Sequence, residues 1–373
     1  MQRAVFCLIE ANICASGGMF LAACPEMRLQ AAAVIGASIF CKITFSAQGE
    51  VQMGMRIAGC GMAAPERIVT NDDLAKLMDT SDEWISTRTG IRRRHVLSGS
   101  EELAPLGAAA AKKAIANSGL EAQQIDLCIV TTVAGDYKTP SMSCLISGML
   151  GLHCITLDIN MACCSFIYAL NTAWAYLSSG LARNALVISA ESMTRLSDWN
   201  DRSTCVLFGD GSGAVVLTLD EDRADPVFDL KAEGSEGWRH LYSFRQTGNS
   251  PFLDETKTGG DGFLHMDGQD IYKFAVSSVC ERVRGVMEKA GVNDGDVGAY
   301  LLHQANLRIM KSAAAKLGGA EKFLHNIEEY GNTSSASIPI LLAEKCADFK
   351  RGEKIIMCAF GAGLSSAACL LEW

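Results

Sequence analysis

The sequence predicts an α/β protein made of two duplicated halves, each a parallel-type sheet packed against helices. Three observations carry that reading. Short apolar runs such as Leu127-Cys128-Ile129-Val130 suit strands buried on both faces. Helix and strand segments alternate along the chain from about residue 55. The second half then repeats the first: residues 113–132 read helix, Ser-Gly-Leu, an acidic stretch, Asp-Leu-Cys-Ile-Val, and residues 286–303 read helix, Ala-Gly-Val, an acidic stretch, Ala-Tyr-Leu-Leu-His. The closing segments 211–217 and 365–371 correspond in the same way.

Taken in order, residues 55–62 read as a strand and 71–78 as a short helix. Thr80-Ser81-Asp82-Glu83 is a capping box for a second helix, which Gly90 closes. A helix over 106–118 leads to a strand over 125–132. Residues 155–160 form a strand running into an apolar helix over 163–179, stopped by Gly180. Strands follow over 185–190 and 212–219. In the second half, Tyr300-Leu301-Leu302 and residues 323–327 are strands, and Asn306 caps a new helix.

Composition bounds the function. The chain has 373 residues, 49% hydrophobic and 20% charged, enough for a large core. A net charge of −9 argues against a nucleic-acid partner. Fifteen cysteines without a CxxC pair give little support to metal ligation or a disulfide framework. They read as small buried hydrophobes in a reducing cytoplasm.

Residues 1–54 lack any helical or strand period. The uncharged run 11–25 is too short to span a bilayer. Leu21-Ala22-Ala23-Cys24 resembles a lipoprotein cleavage box, but Glu10 interrupts the apolar region a signal peptide needs. The expectation is an upstream extension before a start at Met53 or Met55, dispensable for folding. The chain therefore divides into 1–54, an N-terminal half 55–227 and a C-terminal half 228–373.

Three polar residues stand where a strand gives way to a loop or helix: Cys163, His303 and Asn332. In open α/β sheets ligand sites gather beyond the carboxyl ends of strands, so the three are placed to converge. Cys163 is expected on the first turn of its helix, where unpaired N–H groups and the helix dipole lower a thiol pKa. Taken singly, each has a plainer reading: a core cysteine, a satisfied core histidine, a turn asparagine. Gly361-Ala362-Gly363 offers a backbone N–H close to a ligand oxygen.

Six stretches change the weighing. They are Asp79-Thr80-Ser81-Asp82-Glu83-Trp84-Ile85, Thr87-Arg88-Thr89-Gly90-Ile91, Phe208-Gly209-Asp210-Gly211-Ser212-Gly213-Ala214, His303-Gln304-Ala305-Asn306-Leu307-Arg308, Gly331-Asn332-Thr333-Ser334-Ser335-Ala336-Ser337 and Ala359-Phe360-Gly361-Ala362-Gly363. In this order they make residues 55–373 resemble β-ketoacyl-acyl-carrier-protein synthase III, the initiating condensing enzyme of type II fatty-acid synthesis. The resemblance implies a thiolase-like five-layered αβαβα fold, a homodimer, and no metal or cofactor, since coenzyme A thioesters are substrates. It implies a decarboxylative Claisen condensation of an acyl-coenzyme A starter with malonyl-acyl carrier protein. Cys163 would carry the acyl group, His303 and Asn332 would stabilise the enolate, and the Cys163 and Ala362 N–H groups would form the oxyanion hole. Trp84, Arg88, Arg202 and Arg308 would contact coenzyme A. Arg308, Lys311 and Lys316 would dock the carrier protein.

The departures concern substrate choice. Ser165 stands where the family usually has glycine and is expected to crowd the nucleophile turn, as is Met161. Ala362 replaces a common glycine. Thr139 stands where many members place a phenylalanine that closes the partner subunit's acyl pocket, which predicts room for longer or branched starters. Arg92-Arg93-Arg94 reads either as a solvated face or as part of a docking patch. The alternative function is a specialised-metabolism relative that transfers an acyl group without condensation.

Overall fold

The computed structural model describes residues 53–244 and 261–373. The expectations for the extension, including the box at Leu21–Cys24, fall outside the described residues.

Fourteen strands occur among the described residues. The first sheet contains β1 (Gly54–Ala63), β4 (Leu127–Thr131), β5 (Ile155–Ile159), β6 (Asn184–Ser192) and β7 (Asp210–Asp220), in the order β1-β7-β6-β4-β5. The second contains β8 (Val227–Ala232), β11 (Val297–Leu302), β12 (Phe323–Leu324), β13 (Lys354–Gly361) and β14 (Ser365–Glu372), in the order β8-β14-β13-β11-β12. Each sheet thus places its first, fifth, fourth, second and third strands side by side. In both, the fifth strand is antiparallel to its two neighbours and the rest are parallel. The duplication read from the sequence is therefore a duplication of topology, with β4 matching β11 and β7 matching β14. Two ribbons complete the set: β2 (Ile68–Thr70) with β3 (Arg93–His95), and β9 (Leu241–Ser243) with β10 (Leu264–Met266).

Three apolar clusters hold the five layers together, the middle one lying on both sides of the central helices. Helices Leu103–Ser118 and Met142–Leu150 pack on the outer face of the first sheet. Helices Ser165–Ser178 and Ser337–Lys345 lie between the sheets in a core to which both halves contribute. Helices Gly268–Ala290 and Leu307–Leu317 cover the second sheet. β4 is buried at all five positions, as its unbroken apolar run requires. Gly213 of β7 lets the middle helix Ser337–Lys345 approach the sheet: a Cβ there would lie 2.6 Å from backbone atoms of Pro339 and Ile340.

Several boundaries differ from the sequence reading. The helix expected over 71–78 is Asn71–Ala75, with turns beyond it. Ser81, not Thr80, caps the next helix, accepting from the Trp84 N–H at 3.1 Å. The helix expected from 106 begins at Leu103, because Asp136 accepts from the Leu103 and Ala104 N–H groups at 3.0 and 2.7 Å. Helix Met142–Leu150 was not anticipated; its start is held by Ser141 and by the Asp158 carboxylate. The strand expected over 323–327 stops at Leu324, and Ile327 opens a short helix, Ile327–Tyr330. Arg94 is wholly buried and donates to Val69 O, Asn71 Oδ1 and Val206 O, so it is an internal brace. Arg93 pairs with Glu329 at 2.8 Å. Of the eleven described cysteines, all free, seven are buried, which fits a packing role. No helix among the described residues is long and apolar enough to cross a membrane.

Candidate active site

After β5 the chain turns sharply. Asn160 Oδ1 accepts from the Ala162 N–H at 3.1 Å, and Ala162 adopts φ 49°, the left-handed region an alanine enters at some cost. Ser165 Oγ accepts from Met161 N–H and donates to Ala162 O, both at 2.7 Å. The serine expected to crowd the turn instead ties it together. Cys163 sits at the apex, one residue before the N-cap Cys164 of a helix that starts at Ser165. It is therefore outside the first turn where the sequence reading put it.

That position matters for the thiol. Burial pushes Cys163 up to about 12, against the hydrogen bond to Ser334, with the Glu191 charge raising it further. A resting thiolate is not what this environment favours. Ser334 Oγ lies 3.4 Å from Cys163 Sγ. The loop after β13 closes over the same turn: a Cβ on Gly361 would lie 2.9 Å from the Cys163 nitrogen, so only glycine fits. Ala362, next along that loop, has its carbonyl held by Ser365 Oγ at 3.0 Å.

His303 follows β11 and is 2% exposed. Ser337 Oγ accepts from the Gln304 N–H at 3.2 Å and lies 2.8 Å from His303 Nδ1. A hydroxyl that donates to Nδ1 while accepting from the Gln304 N–H leaves the imidazole proton on Nε2, the tautomer that presents a donor away from Ser337. Burial lowers His303 to about 3, so the ring is neutral at physiological pH. Asn332 is joined to the first half through its backbone, donating to Leu207 O at 2.8 Å and accepting from Gly209 N–H at 3.1 Å. Its Oδ1 accepts from the Ser334 N–H at 2.9 Å, which directs the side-chain amide to act as donor.

Cys163, His303, Asn332, Gly361 and Ala362 all line one cavity of about 1360 Å³. Trp84 and Arg88, both on helix Asp82–Thr89, and Arg308 on helix Leu307–Leu317 also line it and are more exposed than the buried end. The Arg88 and Arg202 guanidinium carbons lie 4.7 and 5.3 Å from the Trp84 ring centroid. Arg202 also pairs with the Asp79 carboxylate at 3.0 Å. Lys311 and Lys316 are exposed on the same helix as Arg308, but neither lines the cavity. At 100° per residue Arg308 lies about 60° from Lys311 on one side and about 80° from Lys316 on the other, so the three bases span an arc of about 140°. Thr139 is exposed and does not line this chain's own cavity.

Sequence reasoning missed Glu191, Ser334 and Ser337 as polar partners of the site. Glu191 is fully buried inside β6, between an alanine and a serine that give it no motif of its own. Ser334 and Ser337 lay within a quoted stretch, yet nothing in spacing assigns a hydroxyl its partner.

The comparisons bear on the whole arrangement. Models of 3-oxoacyl-[acyl-carrier-protein] synthase III match residues 157–235 and, for its C-terminal part, 287–373. β-Ketoacyl-[acyl-carrier-protein] synthase III of Clostridium acetobutylicum is 41% identical over 323 residues, covering 86% of this chain and 98% of that protein. The chain belongs to the β-ketoacyl-[acyl-carrier-protein] synthase III family. A crystal structure of 3-oxoacyl-[acyl-carrier-protein] synthase III from Aquifex aeolicus superposes with a TM-score of 0.79 at 42% identity, over 86% of this chain and 100% of that one. The corresponding Pseudomonas aeruginosa enzyme gives 0.78 at 34% identity, over 86% and 98%. Membership makes this an acyltransferase, the initiating condensing enzyme of fatty-acid synthesis, with the thiolase-like layered fold expected of it. The non-condensing alternative is not favoured.

Proposed function

We propose that the chain condenses an acyl-coenzyme A starter with malonyl-acyl carrier protein through an acyl group on Cys163, giving a 3-oxoacyl-acyl carrier protein. The observation that carries this reading is one cavity holding a thiol from the first half and two neutral hydrogen-bond donors from the second. The starter acylates Cys163, and the oxyanion of that step meets the N–H groups of Cys163 and Ala362. Malonyl thioester then loses carbon dioxide. The enolate oxygen accepts from His303 Nε2 and Asn332 Nδ2, and the carbanion attacks the acyl-Cys163 carbonyl. A neutral His303 suits this role, because it donates a hydrogen bond without surrendering the proton. The departing carboxylate supplies the driving force, so the reaction calls on no metal or other cofactor.

Trp84 and Arg202, with Arg88 and Arg308, suit the nucleotide and phosphates of coenzyme A at the exposed end. Arg308, flanked by the exposed Lys311 and Lys316 on the same helix, would dock an acidic carrier protein. A homodimer is supported by β5, an edge strand of the first sheet with Ile155 46% exposed, beside Met149 at 45%. The exposed Thr139 would then face a partner's acyl pocket. The test loads the protein from a mixed acyl-coenzyme A panel, reads Cys163 by intact mass, then adds malonyl carrier protein and follows carbon dioxide. Starter-dependent release is expected, with branched and medium-chain groups among those loaded. Acylation without any release would favour a simple acyl transfer instead.

A further inference from the structure

Two residues other than glycine adopt positive φ among the described residues, Ala162 at 49° and Ser334 at 51°. They come from opposite halves of the chain, and both adjoin the nucleophile. Ala162 precedes Cys163, and Ser334 Oγ lies 3.4 Å from Cys163 Sγ. Backbone strain of this kind persists only where surrounding contacts hold it. For Ser334 the holding contact is the Asn332 side chain, whose Oδ1 accepts from the Ser334 N–H at 2.9 Å. Asn332 is itself pinned through its backbone to Leu207 and Gly209. The neighbouring hydroxyl goes elsewhere: Ser335 Oγ donates to Glu191 at 2.5 Å and lies 3.0 Å from Thr131 Oγ1. A glycine at position 334 would adopt the same backbone without cost, so what the serine adds is a hydroxyl beside the sulfur.

We propose that Ser334 is a further catalytic residue, its hydroxyl donating a hydrogen bond to the Cys163 sulfur and stabilising the thiolate that attacks the acyl thioester. The S–H proton leaves to solvent, and Ser334 keeps its own proton throughout. The new S–C bond forms, the thioester C–S bond breaks, and coenzyme A leaves as a thiolate that takes a proton from water. A hydrogen bond to a charged sulfur is stronger than one to a neutral thiol, so the contact favours the anion over the resting form. It opposes the burial that otherwise holds the thiol protonated. The titratable groups around the sulfur do not supply this help. Glu191 on β6 carries the wrong sign, and Asp158 on β5 is engaged by the Met142 and Ser143 N–H groups. Burial keeps His303 neutral, and the adjacent Cys164 thiol lies 3.5 Å from Ser365 O. The loop after β13 and residues 332–337 bring no charge. Asn332 then serves both steps, with its amide nitrogen facing the enolate and its oxygen placing the donor for the thiolate.

The inference rests on Cys163 as the acyl acceptor, and one arm of its test needs no acyl group. Alkylation of Cys163 by iodoacetamide is followed by peptide mass from roughly pH 7 to 10, where the thiolate fraction of a raised thiol grows. Ser334→Ala and Ser334→Gly should each be alkylated about thirtyfold more slowly at pH 7.5, the scale of one hydrogen bond to a charged group. Any narrowing of that deficit should be confined to pH values where the wild-type rate has levelled off. Acyl-enzyme formation from acetyl-coenzyme A, read by rapid quench and intact mass, should lose a similar factor in its maximal rate with the half-saturating concentration nearly unchanged. Faster alkylation in the variants overturns the proposal, because the hydroxyl would then be accepting from the S–H and holding the thiol in its resting form. Unchanged rates overturn it too, as does a loss in Ser334→Ala that Ser334→Gly restores, which would belong to the backbone. If Ser334→Ala does not fold, Ser334→Gly decides, since glycine fits the left-handed turn. A wild-type protein that never forms acyl-Cys163 overturns the acceptor role, and the catalytic role of Ser334 with it, even where the alkylation deficit is found.

Discussion

Between β6 and β7 the chain makes a long excursion, residues 193–209; between β13 and β14, the same place in the second half, only residues 362–364 intervene. The short hairpin lays Gly361 against the nucleophile turn. The long one carries Arg195, which lines the cavity, and Arg202, which stacks over Trp84. Strand position decides where a loop arrives, and loop length decides whether it serves the buried end or the rim. The proposed division of chemistry is just as uneven: the first half would contribute the sulfur of Cys163 and the second the donors His303 and Asn332 for the enolate.

Removing each half's contribution separately should have the largest effect on turnover. Cys163→Ala is expected to abolish acyl-enzyme while residual malonyl decarboxylation persists. His303→Ala or Asn332→Ala should leave acylation detectable and cut condensation about a hundredfold or more. Intact mass and labelled carbon dioxide read the two steps. Loss of acylation with intact decarboxylation in the His303 and Asn332 variants would reverse the assignment. Ser337→Ala frees His303 Nδ1 and lets the ring choose the wrong tautomer; condensation should fall about tenfold with acylation unchanged, a smaller loss than removing the donor itself.

At the rim the effect should be weaker and confined to binding. Trp84→Ala removes a face against which Arg88 and Arg202 rest, worth about 1 kcal/mol. A roughly fivefold higher KM for acyl-coenzyme A at nearly constant kcat is the expected steady-state result. A fall in kcat alone would move Trp84 to the chemical end.

Acidity tests the second half's neutral donor. His303 is held below its ordinary value by burial, so the unfolded state takes up its proton first as pH falls. Stability from this group is complete above about pH 6.5 and declines as pH drops from there toward 3. Thermal melts at pH 7.5 and 5 should show a smaller difference in His303→Gln than in the wild type, at approximately these two pH values. In the first half's turn, Ser165→Gly removes two hydrogen bonds, at about 1 kcal/mol each, and touches stability alone. The midpoint should fall by a few degrees, and an unchanged or higher midpoint would restore the view that the serine crowds the turn.

Much of this architecture was legible because it is periodic. β4 announces itself by an unbroken apolar run and the duplication by two helix–strand units of similar grammar. The site was legible through strand ends and motif stretches. What stayed hidden depends on partners far away in sequence. Helix Met142–Leu150 starts where Asp158 caps it, and Leu103–Ser118 starts early because Asp136 arrives from another loop. Cys163 was read as a first-turn thiol because an apolar helical period runs back to it, but with the left-handed Ala162 and the Ser165 tie the helix starts two residues later. Glu191 carries no local mark, since the groups that hold it, the Val133 N–H and the Ser335 hydroxyl, come from a distant loop and from the other half.

The layer of helices between the sheets has a consequence for how the protein comes into being. Ser165–Ser178 and Ser337–Lys345 share one core with strands of both halves, so neither half can bury its inner face alone. A ribosome that has released only the first half has made a chain with Cys163 but without Gly361, Asn332 or Ser334 around it. The reactive centre is assembled by the final docking event of biosynthesis. A chain stopped before that moment has neither a closed inner core nor a complete cavity, so folding and chemical competence are reached together.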